Sequence, residues 1–170
     1  MKQIILISII SLTHITCSDV DNNGIERIVD EYYEIYSRRQ SIDKFLGFYD
    51  NEIEFEDIIN GDKIKGKTDL RKFLNWENPD FIMLESNILK ITEKIIDGNK
   101  AVIKGYFTKF QWGQIEFGPM HFTTILVFNG SGKIIKQVDW INYPSDLVNY
   151  NERKNSNKWI KYSPPKVFKK

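Results

Sequence analysis

Residues 53–66 read IEFEDIINGDKIKG. Apolar and polar residues alternate as far as Ile58, the period-2 mark of a half-buried strand. Asp57 falls near the end of that strand, where a short carboxylate can look into a cavity. Asn60-Gly61 then turns the chain, residues 63–65 give a second short extended piece, and Gly66 closes the unit. Residues 67–76 read as a helix. The chain before this junction is patterned as helix and the chain after it as strand, so fold and chemistry both turn on it.

Upstream, Ile25, Ile28, Val29, Tyr32, Tyr33 and Tyr36 recur at helical spacing and form one apolar stripe, with Glu26, Arg27, Asp30, Glu31 and Glu34 on the other face. Ser41 is a good N-cap for a second, shorter helix reaching about Tyr49, with Ile42, Phe45, Leu46 and Tyr49 on its buried side. The third helix buries Leu70, Phe73 and Leu74. Downstream, runs 88–96 and 101–112 are extended and joined by Asp97-Gly98-Asn99, a hairpin signal. Gly113 bends the chain, 115–128 reads as a long strand, and 133–143 is the last one. Pro144 stops it before a short helix over 146–150. Helices segregated from a meander of strands make an α+β layer arrangement. The expectation is a curved antiparallel sheet forming a cone, with three N-terminal helices packed against it.

The chain has 170 residues, is 41% hydrophobic and 28% charged, and so has room for one core. A formal net charge of +1 removes the electrostatic case for a nucleic-acid partner. Four Trp, eight Tyr and eleven Phe fit a deep core or an apolar pocket equally well. The first residues stand apart. Met1-Lys2-Gln3 is a positive start, and 4–16 is an apolar run too short to span a bilayer comfortably, as in a signal peptide. Cys17, the one cysteine of the chain, ends that run. The segment resembles a bacterial lipoprotein signal, in which this cysteine would be lipidated, although Thr16 and His14 depart from the usual pattern. Ordinary secretion with cleavage nearby is the other reading. The expected organisation is a signal peptide over 1–17, a polar tether over 18–24, the folded domain over 25–150 and a basic tail over 151–170. The resulting place is the exported side of a bacterial membrane, touched only through the lipid. The tail carries Lys154, Lys158, Lys161, Lys166, Lys169 and Lys170, a composition that suits a solvated end or a membrane-facing one.

Several stretches carry a family resemblance: Tyr33-Glu34-Ile35-Tyr36, residues 45–50 (FLGFYD), residues 53–57 (IEFED), Lys65-Gly66-Lys67 and residues 128–134 (FNGSGKI). In this order the domain resembles the nuclear transport factor 2-like cone fold and, within it, SnoaL-like proteins, over roughly residues 25–143. Ketosteroid isomerases share that fold. The resemblance to them implies that Asp57 is a general base and that Tyr33 holds an oxyanion. Their second oxyanion donor is an acid, and Thr124 stands in its place. The resemblance to SnoaL-like cyclases instead implies an acid on the last strand, Asp139, with Asn142 where those sequences commonly carry an aspartate.

Each residue also has a plainer account. Asp57 can start a turn or cap nearby backbone, as short acids do. Asp139 alternates with Trp140, and the sequence does not say which of the two looks inward. His121, the one histidine outside the leader, fits a hydrogen-bonded sheet residue better than a catalyst. Tyr36, Phe55, Phe107, Trp112, His121 and Trp140 are the expected pocket wall. One usable histidine and no usable cysteine make a zinc site improbable, and no cofactor is expected. Gly130-Ser131-Gly132-Lys133 lacks phosphate-loop spacing and reads as a hairpin. The expected function is binding of a small apolar or aromatic molecule, with aspartate-based proton transfer of an isomerase or cyclase kind. The alternative is a protein-interaction or homodimer module built on the outer face of the sheet.

Overall fold

The computed structural model describes residues 21–147. The leader, Cys17 and the basic tail lie outside them. Helix α1 runs Asn22–Arg38, so the last residues of the expected tether belong to it. Asp21 is its N-cap, accepting a 2.8 Å hydrogen bond from the Gly24 N–H. The stripe predicted for α1 buries Ile25, Val29, Tyr32 and Tyr33. Helix α2 spans Ile42–Leu46, capped by Ser41. It stops sooner than its pattern implies, because Tyr49 is the first residue of strand β1, Tyr49–Asp57. Strand β2 is Lys63–Lys65, and α3 is Lys67–Leu74, two residues shorter than expected. Its buried anchor is Leu70, while Phe73 stays 38% exposed.

The remaining strands are β3 (Phe81–Met83), β4 (Leu89–Asp97), β5 (Lys100–Phe107), β6 (Phe110–Trp112), β7 (Ile115–Phe117), β8 (Met120–Phe128) and β9 (Ile134–Ile141). A 3-10 turn over Ser145–Leu147 follows. Two runs read as continuous strands are each broken. The run 101–112 divides at Thr108, whose N–H and hydroxyl both leave the ladder to bond the carbonyls of Ile88 and Asn87. The run 115–128 divides at Gly118-Pro119, a cis peptide. Gly118 has φ +90°, and a Cβ there would lie 2.5 Å from the Thr108 carbonyl oxygen, so only glycine fits. The outer ends of these runs therefore form a second sheet, ordered β3-β6-β7.

The main sheet has six strands in the order β2-β1-β9-β8-β5-β4 and is open at both edges. It is mixed, not purely antiparallel, because β1 pairs with β9 in parallel. Such a pair needs a long crossover. The chain from α3 to β8 supplies it and brings the last strand beside the first. The core fills the space between the helices and the inner face of this sheet, with Phe45, Ile53, Leu70, Ile103, Leu126, Phe128 and Ile134 wholly buried. Each such side chain contributes about 1.5–3 kcal/mol on burial.

Candidate functional site

Three residues share one row across the sheet. Asp57 is the register partner of Asp139, and Asp139 is the register partner of Thr124. Asp139 alternates inward with Gln137, and Trp140 points outward at 38% exposure. This settles which face Asp139 occupies: its carboxyl lies at the wall of a half-open cavity of about 270 Å3. Tyr36, Phe55, Phe107 and Trp112 line the same cavity, as do Tyr32, Tyr49, Gln137 and Tyr143. Most of the wall is apolar ring, so any polar group opening on it acts in a medium of low dielectric.

The Asp139 carboxyl is held by side chains alone. Thr124 donates to Oδ1 at 2.7 Å and Gln137 Nε2 donates to Oδ2 at 2.9 Å. The Gln137 amide oxygen in turn accepts from Tyr49 at 2.7 Å, and the hydroxyls of Tyr32 and Tyr49 lie 2.8 Å apart. Donors thus run in one direction, from Tyr32 through Tyr49 and Gln137 to the carboxyl. Burial pushes Asp139 up to about 7, against the hydrogen bonds of Thr124 and Gln137 that favour its charged form, and nearby Asp57 adds to the rise. The same burial raises Tyr36, whose hydroxyl has no hydrogen-bond partner among the described residues.

Asp57 is built differently. It is wholly buried, and its Oδ1 accepts the N–H groups of Ile59 and Asn60, both at 2.9 Å. That is the turn-closing role open to a short acid, and the Gly61 N–H to the Asp57 carbonyl completes the turn. Its Oδ2 accepts the hydroxyl of Tyr143 at 2.6 Å, and Tyr143, not Asp57, reaches the cavity wall. Burial raises the Asp57 carboxyl, and the bonds from Tyr143, Asn60 and Ile59 counter it.

Other expected positions fall elsewhere. Tyr33 is buried with its ring stacked 6.2 Å from Phe122, and it lines a groove between α1 and β4 instead of the cavity. Burial and then the Asp139 charge push its phenol up, against a hydrogen bond with Thr124. His121 is exposed on the outer face beside Tyr106, and Trp140 shares that face, so neither belongs to the pocket wall. The outward parity of both follows from the β8–β9 register, which puts His121 and Thr123 on the face opposite Thr124. Reading the sequence misses Tyr32, Tyr49, Gln137, Tyr143 and Arg39. The first two were counted as core, which they also are. Gln137 did leave a signal: it and Asp139 are polar residues two apart in an apolar strand, hence on one face.

No family model matches the chain, and no curated protein matches it. Solved structures do. One is described as a SnoaL-like polyketide cyclase from Shewanella putrefaciens, with TM-score 0.58 and 17% identity, covering 70% of this chain and 90% of that one. A second, described as a ketosteroid isomerase from Kribbella flavida, has TM-score 0.56 and 14% identity over 88% of this chain and 97% of that one. A third is an NTF2-like protein of unknown function from Burkholderia pseudomallei, with TM-score 0.55 and 17% identity over 68% and 88%. The chain shares the α+β fold of the nuclear transport factor 2-like and SnoaL-like proteins.

Proposed function

We propose that this domain binds a small apolar or aromatic molecule in the ring-lined cavity and that Asp139 moves a proton on it. The finer shape we assign is a cone, with the inner face of the sheet as its wall and the helices across it. The observation that carries the reading is a carboxyl buried at the wall of an apolar cavity, raised to about 7, sharing that cavity with the unpartnered hydroxyl of Tyr36. A general base is most effective when its pKa lies near the working pH. A C–H bond next to a carbonyl breaks, its proton goes to Asp139, and the electron pair moves onto the carbonyl oxygen as an enolate. The Tyr36 hydroxyl donates to that oxygen. Return of the proton at another carbon completes an isomerisation. Thr124 and Gln137 fix the carboxyl in place. Asp57 acts through Tyr143, and Tyr33 stands behind Thr124. The isomerase and cyclase descriptions of the structural neighbours support this class of chemistry.

The test follows deuterium exchange at C1 of 2-tetralone by NMR. The wild-type protein accelerates exchange, and Asp139→Asn lowers the acceleration by about 10²–10⁴-fold. Equal rates for the two proteins sink the catalytic half of the reading.

A second reading rests on the outer face. Ile95, Val102, Ile125 and Val138 are register partners in one row across β4, β5, β8 and β9, with Trp140 in the adjoining row. Such a row suits a homodimer or a docked protein. Sedimentation that finds only monomer at high concentration removes the homodimer. The leader is part of the proposal as well: export, with a lipid on Cys17. The mass of detergent-extracted protein carries the lipid adduct in that case, and Cys17→Ser abolishes it.

A further inference from the structure

Arg39 is the one cation at the cavity wall among the described residues, and its setting is unusual. It ends α1 in the left-handed conformation, φ 47° and ψ 37°, where glycine is the ordinary choice and a side chain is strained. A cation at a helix C-terminus is favourable, yet that alone does not require the side chain to fold back over aromatic rings. Its guanidinium carbon lies 4.0 Å from the centre of the Phe81 ring and 5.1 Å from that of Trp76. The rings cover its faces. It forms no ion pair with any carboxylate among the described residues, and it is half-buried, which pulls its pKa down. The five N–H groups around the edge of a guanidinium form a planar fork that matches a carboxylate with two parallel hydrogen bonds.

The cavity therefore has two polar ends in an apolar wall. Asp139 and Gln137 are 7% and 4% exposed and lie deep, whereas Arg39 is partly open to solvent beside exposed Trp112. Tyr36 lies between them electrostatically, feeling both Asp139 and Arg39. The volume, about 270 Å3, is just below the roughly 300–1,000 Å3 usual for ligand pockets and is enough for one or two fused rings. We infer that the ligand is a small aromatic carboxylate, its ring system in the cavity and its carboxylate held on the fork of Arg39. This rests on the reading of the cavity as a ligand site and adds the chemical class of the ligand.

The experiment titrates the tryptophan fluorescence of the protein with 2-naphthoate and with 2-naphthamide, planar molecules of the same shape that differ in charge. Trp76 and Trp112 are the reporters. Wild type binds naphthoate roughly tenfold more tightly than the amide, as a charge-assisted pair on a half-buried fork implies. Arg39→Gly suits the left-handed backbone and so keeps the fold, checked by thermal unfolding. It abolishes the preference while retaining amide binding. Arg39→Lys, a charge without the fork, falls between. Equal affinity of wild type for the two probes, or a preference that survives Arg39→Gly, overturns the inference and leaves the pocket reading standing. Failure of wild type to bind either probe overturns both.

Discussion

Asp57 and Asp139 stand beside each other in register on β1 and β9, and both are buried. What holds them differs. Two backbone N–H groups of its own turn grip Asp57, so its position is part of the chain's course. Side chains from β8 and β9 hold Asp139, and it opens on the cavity. Backbone donors aimed at a carboxylate favour its charge and cannot withdraw. Burial raises both carboxyls, and Asp139, held by side chains, is the one that lies at the cavity wall. Two acids in one row of one sheet thus serve different ends, one closing a turn and one facing the cavity.

The largest expected difference between them is in activity. Asp139→Asn lowers acceleration of 2-tetralone exchange by about 10²–10⁴-fold, the usual contribution of a positioned base. Asp57→Asn, which keeps the shape and one acceptor oxygen, changes it by less than about tenfold, since Tyr143, and not Asp57, lines the cavity. The reverse order of effects would return the role of base to Asp57.

Next in size is the dependence of stability on pH. The Asp139 carboxyl has a folded pKa of about 7, above the value of about 3.9 expected in the unfolded chain. Between those values the folded state binds the extra proton. Its stabilising contribution is therefore full below about pH 4 and is lost as pH rises through about 7. The loss is roughly 4 kcal/mol in all, at 1.36 kcal/mol for each pH unit. Asp57 is shifted the same way, so the contribution of Asp139 is read as the difference between wild type and Asp139→Asn in urea unfolding from pH 4 to 8. Parallel curves for the two proteins would mean that Asp139 titrates as it does in water.

A third contrast concerns the turn. Asp57→Ala strips the acceptor from two N–H groups and from the Tyr143 hydroxyl, and it lowers unfolding free energy by about 1–3 kcal/mol at neutral pH. Asp139→Asn keeps an acceptor for Thr124 and removes a costly buried charge while setting its amide N–H against the Gln137 donor, so at pH 8 it costs less than Asp57→Ala. Urea melts at that pH decide. A destabilised Asp139→Asn with an unaffected Asp57→Ala would invert the roles.

Much of this arrangement is legible in the sequence, and the limits are physical. The stripe of α1, the cap at Ser41 and the turn at Asn60-Gly61 are local signals, and the structure has all three. The parallel β1–β9 pairing is not local. It joins residues about eighty apart, as Asp57 and Asp139 are, and no periodicity encodes such a neighbour. The missing second acid has the same origin. The resemblance to ketosteroid isomerases implies an acid where Thr124 stands, and the Thr124 hydroxyl instead bonds Asp139 from the next strand. A carboxyl is present near that place, supplied by β9 instead of β8. Alternation gives the parity of Asp139 and Trp140 but not the inward sense, which only the β8–β9 register supplies. Phe110, Trp112 and Phe117 read as continuations of long strands, because a break that depends on Thr108 meeting Gly118 leaves only a Gly-Pro pair in the sequence.

The smallest effect is the most specific to the proposed division of labour. The Tyr143 hydroxyl donates to Asp57 Oδ2 at 2.6 Å and does not bond Asp139. Tyr143→Phe removes that donor and little else, since the ring stays at the cavity wall. The charged form of Asp57 then loses one of the hydrogen bonds that favour it, so its pKa rises further from the usual carboxylate range. One hydrogen bond to a charged group contributes about 1.5–3 kcal/mol, and the backbone donors of Ile59 and Asn60 hold the net change to the lower part of that range. Carbon-13 NMR of labelled aspartates follows the two carboxyls separately through a pH titration. Asp57 moves up and Asp139 stays near 7 if the acids are held independently. A comparable movement of Asp139 would show that the row titrates as one coupled unit, with the base shared between β1 and β9.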